Sequence, residues 1–342
     1  MGSADGSEQE AWLRRRDEAT AGFMRCLGPR PDWGDLDPRV YGSTDMPEYA
    51  AEWVAFGAEP GEAITGLLVK PRATTSAAPV VLAHHGFNGN KDLMVMGEDP
   101  SGPDDGAVPL RQMVRNGLAV MAIDGRVHGE RGGDTLLTWR HGGERSVRRP
   151  DRVEDRAGYR EAVWEDFEWA NRAALIDGSS IGALETWDAM RALDYLATRP
   201  DIDMTRVGSF GHSRGGDIAW YVALADQRVK AVCTSGCMQT FEACLEFRRD
   251  KGAHAWIPGI RRHASREELV SALAPRPLLA LEGELDHARE GEQPIWDALT
   301  HAYGLLGVPE RFAYEHWPGG HGMFLRERAG FERIAGWFER WL

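Results

Sequence analysis

The chain has 342 residues, 42% apolar and 27% charged, with a formal net charge of −13. That composition is ordinary for a globular protein with a sizeable core, and the acidic balance leaves no cation surplus to neutralise nucleic-acid phosphates. No stretch approaches the roughly 18 apolar residues of a membrane span, and residues 1–10 lack the basic and apolar segments of a secretory signal, so a cytoplasmic protein that engages neither membrane nor nucleic acid is expected.

Residues 7–26 have helical character and lead into a Pro/Gly-rich connector at 28–38, giving an N-terminal helical extension (1–48) ahead of a main domain (49–342). Residues 49–56 and 63–69 read as a strand pair about the turn Glu59-Pro60-Gly61. The short apolar run at 79–83 suits a buried strand. Leu110, Met113 and Val114 are spaced as on a helix that stops at Asn116-Gly117, and 118–123 is the next strand. A helix follows at 183–197, with Leu184, Trp187, Leu193 and Leu196 on an apolar face. Residues 206–210 form a strand and 217–225 a helix. Later strands are expected at 229–233, 277–281 and 311–316, and 337–342 closes a terminal helix. This alternation predicts an α/β architecture, a mostly parallel central sheet with helices on both faces. Chemistry in such sheets sits at the carboxyl ends of the strands.

Two intervals, 126–182 and 236–274, exceed ordinary connections and are placed as lid-like insertions roofing that end. The first holds Trp139, Trp164, Trp169 and seven arginines between Arg140 and Arg160. Acidic residues are interleaved with those arginines, which favours a solvated helix face over an anion-binding surface. The tryptophans suit an aromatic pocket or the packing of a lid. Cys26, Cys233, Cys237 and Cys244 form neither a disulfide framework nor a zinc-ligand spacing and are expected as buried thiols.

The chemical signal is Gly211-His212-Ser213-Arg214-Gly215-Gly216, set between strand and helix. Glycines at minus two and plus two from a serine mark a nucleophile elbow, a turn too tight for side chains at the flanking positions. A serine hydroxyl needs an imidazole to take its proton and an acid to hold the imidazole's tautomer. The acid expected is Asp286, just past the strand at 277–281, with Glu284 as its rival. The base expected is His321 in Pro318-Gly319-Gly320-His321-Gly322, beyond the last strand, where His316 is the other histidine. Serine, aspartate, histidine is the chain order that accompanies an elbow. Two backbone N–H groups should hold the oxyanion: that of Arg214, and that of Phe87 in His84-His85-Gly86-Phe87-Asn88-Gly89. One of His84 and His85 is expected to brace this loop from beneath.

These segments, with Asp124-Gly125-Arg126-Val127-His128-Gly129-Glu130-Arg131, Ala192-Leu193-Asp194-Tyr195-Leu196 and Pro275-Arg276-Pro277-Leu278-Leu279, resemble the α/β-hydrolase superfamily, in particular its acetyl xylan esterase and dienelactone hydrolase-like branch. The resemblance covers roughly residues 40–342. It implies hydrolysis of carboxylic esters through an acyl-serine intermediate, with no cofactor and no metal, on a small-molecule ester. Ser213, Asp286 and His321 fall on the family's triad positions. The charged, Trp-bearing interval 126–182 departs from the family pattern, so the family's sugar-acetyl substrates do not carry over. The same triad serves lactone, carbon–carbon and amide hydrolysis, and hydrolase scaffolds also host non-catalytic binding proteins.

Overall fold

The computed structural model describes residues 2–72, 76–96, 107–132, 156–247, 252–286, 289–322 and 328–342, with the side chains of 2–5, 96, 107–109, 156–162 and 247 outside the description. Nine strands form one sheet: β1 (Arg39–Asp45), β2 (Tyr49–Gly57), β3 (Ala63–Pro71), β4 (Ala78–His84), β5 (Ala119–Ile123), β6 (Ile202–His212), β7 (Val229–Ser235), β8 (Leu278–Gly283) and β9 (Phe312–Trp317). Their order is β1-β2-β3-β5-β4-β6-β7-β8-β9. The first three strands and the β3–β5 pair are antiparallel, and every pairing from β5 to β9 is parallel. The expected mostly parallel sheet is therefore present, with an antiparallel flank. After β4 the chain moves outward to β5, then returns past β4 to place β6 on its other side. The sheet order thus reverses at β4, a topological switch point, and in open sheets of this kind ligands bind at the carboxyl ends of the strands beside such a point.

Alternation along the strands builds two cores. Val80 and Leu82 of β4 and Leu278 and Ala280 of β8 face one side. Val81, Ala83, Leu279 and Leu281 face the other. The first side is covered by α1 (Gly2–Cys26), α5 (Ile181–Ala197), α6 (Arg214–Ala225), α8 (Arg266–Ser271) and α9 (Gln293–Leu305). The second is covered by α2 (Lys91–Met96), α3 (Ala107–Arg115) and α10 (Arg328–Trp341). Ala19, Phe23 and Leu27, from α1 and the residue just past it, are fully buried in the first core, so the N-terminal helix packs as part of this body. No helix among the described residues is long and apolar enough to cross a membrane.

Several elements differ from the expectation. β1 precedes the expected strand pair, whereas the terminal helix closes as expected, in α10, which starts at Arg328. The interval 126–182 contains α4 (Arg156–Ile176), and 236–274 contains α7 (Phe241–Phe247) and α8. Trp139 and most of the arginines between Arg140 and Arg160 lie outside the described residues. On α5 the expected apolar face is incomplete: Leu184 is only half-buried, whereas Glu185 and Asp188 are buried.

Candidate active site

The elbow is built by glycine. A Cβ at Gly211 would overlap the carbonyl of Gly215, and one at Gly215 would overlap the carbonyl of His84. The close approach of β4, β6 and α6 leaves no room for either. Between these glycines Ser213 adopts φ 55° and ψ −117°, a region that costs an L-residue on the order of 1–3 kcal/mol. Its N–H donates to the Ser235 carbonyl at 2.8 Å, fixing the turn to the end of β7. Arg214 is the first residue of α6, where N–H groups have no acceptor within the helix.

Asp286 and His321 come together although 35 residues separate them. The His321 Nδ1 lies 3.0 and 2.9 Å from the two Asp286 carboxylate oxygens. The Asp286 side chain is fully buried, whereas that of His321 is 29% exposed. An imidazole that donates Nδ1–H to a carboxylate presents a lone pair on Nε2, the form a general base needs. Glu284 is exposed. His316 lies within β9 and pairs with Glu292 at 2.6 Å. The ring of His212, next to Ser213, lies 4.6 Å from that of His321, which places Ser213 and His321 at one end of the sheet.

The loop after β4 lies against the same elbow: a Cβ on Gly86 would stand 4.0 Å from that of Ser213. His85 sits beneath the loop, as one of the two histidines was expected to. Its Nε2 accepts from the Gly125 N–H at 2.9 Å, so Nδ1 carries the proton and donates to the Gly86 carbonyl at 2.7 Å. A trans peptide turns the Phe87 N–H the opposite way from that carbonyl. The Phe87 carbonyl in turn faces the His128 Nε2 at 2.8 Å. Burial and then the Arg214 charge hold His85 well below the usual imidazole range, in keeping with its one donating and one accepting ring nitrogen, and bring His128 down to about 3. The Phe87 ring packs 5.1 Å from Trp164 and 5.3 Å from Phe167, bringing α4 over this loop.

Comparison with known proteins follows this geometry. No protein-family model matches the chain. A relative, "Putative hydrolase YtaP" of Bacillus subtilis (strain 168), is 27% identical over 319 residues, covering 90% of this chain and 94% of its own. Among solved structures, a "putative acetyl xylan esterase" from Bacteroides fragilis NCTC 9343 matches with a TM-score of 0.70 at 17% identity, over 95% of this chain and 83% of that one. A glucuronoyl esterase from Solibacter usitatus matches at 0.64 and 16%, over 96% and 93%. An acetyl xylan esterase from Paenibacillus sp. R4 matches at 0.54 and 19%, over 98% and 94%. The chain has the α/β-hydrolase fold.

Within this hydrolase fold, buried charges that the sequence reading did not assign hold the site loops. Asp124, fully buried after β5, accepts from Thr65 Oγ1, from the backbone N–H of Lys91 and Glu130, and from Lys91 Nζ at 2.8 Å. It ties the loop after β4 to the segment 124–131. Burial alone would lower the Lys91 pKa, but Asp124, Asp92, Tyr41 and Glu130 outweigh it and hold the ammonium charged. The Arg214 side chain turns away from solvent to pair with Glu185 of α5, and its Nη2 lies 3.2 Å from both ring nitrogens of His85. Asp188 binds Arg126 and Arg131, each at 2.8 Å. Behind Asp286, Glu282 is fully buried and receives the N–H groups of Cys237 and Met238 at 3.1 Å. Burial, with the nearby Asp286 and Glu292 carboxylates, pushes its pKa well above the usual range. Among the described residues no group of three or more His, Cys, Asp or Glu is arranged to hold a metal ion.

Proposed function

We propose that the protein is a serine esterase that cleaves a carboxylic ester of a small or medium-sized molecule through an acyl-serine intermediate. Ser213 Oγ attacks the carbonyl carbon as His321 Nε2 takes its proton. The oxyanion that forms is held by the backbone N–H groups of Phe87 and Arg214. Collapse expels the alcohol, protonated by His321, and leaves the acyl group on Ser213. Water, deprotonated by His321, then releases the acid. Asp286 keeps His321 in the required tautomer and stabilises the imidazolium. The sequence requires no cofactor.

The observation that carries this reading is the His321 Nδ1–Asp286 pair at 2.9 Å, at the same sheet end as a serine in a strained elbow. The oxyanion assignment is supported by the Gly86 carbonyl, which His85 turns inward. A lid role for the long insertions is supported by α4, whose Trp164 and Phe167 pack on Phe87. The relatives named as esterases are consistent with ester chemistry.

The test is hydrolysis of p-nitrophenyl esters from acetate to octanoate by wild type and Ser213→Ala side by side. Turnover in the wild type that disappears in the variant is expected, and the chain-length optimum sizes the acyl site. Undiminished turnover by Ser213→Ala would refute the mechanism.

A further inference from the structure

The residue before the nucleophile has a role that the elbow motif leaves open. His212 ends β6 and is buried, 4% exposed. In the parallel register its partner is Ser235 at the end of β7. Its Nδ1 lies 2.7 Å from the Ser235 hydroxyl, and the Ser235 carbonyl receives the N–H of Ser213. One residue of β7 therefore fixes both the nucleophile's backbone and the neighbouring imidazole.

The His212 ring lies 4.6 Å from that of His321, tilted by 43°. Three glycines from three separate segments close around it. A Cβ on Gly86, in the loop after β4, would stand 3.6 Å from the His212 ring; one on Gly236, after β7, 3.1 Å; one on Gly322, next to His321, 2.8 Å. The Gly236 position is also 2.7 Å from the His321 ring, so that ring rests on bare backbone there. The loops carrying the proposed oxyanion donor and general base thus approach a common imidazole.

This geometry matters because the Asp286 contact alone does not orient His321. A hydrogen bond at Nδ1 fixes one end of the imidazole, and the plane of the ring about that bond is set by what packs against its face. Nε2, at the other end, must meet Ser213 Oγ within a few tenths of an ångström, and displacement by about 1 Å can cost on the order of 100-fold in rate. A contact on the ring face sets that plane.

We infer that His212 is a positioning residue for His321, its locked ring setting the plane in which the general base presents Nε2 to Ser213. The inference rests on the proposed esterase mechanism. It concerns the ring's shape and its lock, not proton transfer by His212.

The test compares wild type, His212→Ala, His212→Asn, His212→Phe and Ser213→Ala on one p-nitrophenyl ester, with KM, kcat and thermal midpoint measured for each. Ala and Asn should lower kcat roughly 10- to 100-fold with KM changed less than about 3-fold, measured at a temperature where the thermal midpoint shows each variant folded. Phe, which restores a flat ring, should recover kcat to within roughly 5-fold of wild type. Full kcat in His212→Ala beside an inert Ser213→Ala overturns this inference alone, as does a loss that lies wholly in KM or that Phe does not relieve. Turnover by Ser213→Ala overturns the mechanism beneath it. If His212→Ala does not fold, Ser235→Ala carries the test, since it releases the lock and keeps the ring. A kcat lowered by roughly 3- to 10-fold at constant KM is expected there, and wild-type kcat would overturn the inference.

Discussion

At Ser213 the chain holds a backbone conformation that few L-residues adopt, and the contacts imposing it are backbone contacts at Gly211, Gly215 and Ser235. Gly215→Ala forces a methyl into the His84 carbonyl, and no flexible side chain is there to yield. It should destabilise the fold by more than about 3 kcal/mol, measured by urea unfolding, and a variant as stable as wild type would contradict this account of the elbow. Asp286→Asn keeps the shape of the acid but loses the acceptor pair that sets the His321 tautomer. A fall in kcat on the order of 10³ to 10⁴ is expected, with thermal stability nearly unchanged. The elbow was legible in sequence because its glycines are sterically required, and Asp286 and His321 because each follows a strand in a fixed order. The position of His212 within the motif carries no such requirement, so only contacts seen in three dimensions distinguish it.

The segment 124–131 shows what a loop contributes when its charges are buried. Asp124 receives four hydrogen bonds from β3, the start of α2 and its own loop, and Lys91 lies between Asp124 and Glu130 with no exposure. Removing one partner from such a set leaves an uncompensated charge, at about 3–5 kcal/mol. Asp124→Asn should therefore lower unfolding stability by that order and also reduce kcat, because the loop holding Phe87 ends at the same anchor, Lys91. Wild-type unfolding stability in that variant would contradict the role given to Asp124. Elements were legible where burial imposes a period. β4 and β5 are apolar runs, and β2 and β3 were both recognised as strands. β1, Arg-Val-Tyr-Gly-Ser-Thr-Asp, is an edge strand that is mostly exposed, so neither alternation nor an apolar run marks it. Glu185 and Asp188 resisted reading for the opposite reason: their charges look solvated in sequence, and only the packing of Arg214, Arg126 and Arg131 from other segments buries them. α9 does carry a helical signal in Ile295, Trp296, Leu299, Ala302 and Tyr303, which our sequence reading omits.

For the molecule as a whole, the sheet's reversal of strand order around β4 joins fold and site. It sets the loop after β4 beside the elbow after β6, where Gly86 approaches His212 and Ser213 and the His321 ring lies against His212. Buried imidazoles in this region make stability depend on pH. Burial and the Arg214 charge bring His84 to about 3 and hold His85 well below the usual range. Both are neutral when folded, whereas in the unfolded chain they bind protons once the pH falls below about 6.5. At these two sites the unfolded state then holds more protons, so their contribution to stability is full above pH ~6.5 and declines as the pH falls toward 3, by up to about 1.4 kcal/mol per unit for each histidine. Asp188, held low by Arg126 and Arg131 against its burial, adds a further loss only below about pH 4. Glu282, whose carboxyl burial pushes well above the usual range, opposes this by binding a proton in the folded state, so the test is a comparison: the urea midpoint at pH 5 relative to pH 7 should be higher in His84→Gln than in wild type, and equal ratios would contradict the neutral burial of His84.

The central claim is that Ser213 becomes a nucleophile through His321. The most direct measurement is the intact mass and peptide map of the folded protein after treatment with a fluorophosphonate. One adduct per chain on the peptide carrying Ser213, absent in Ser213→Ala and formed more slowly in Asp286→Asn, is the predicted result. A folded wild type that takes up no label, or takes it up at another residue, would contradict it.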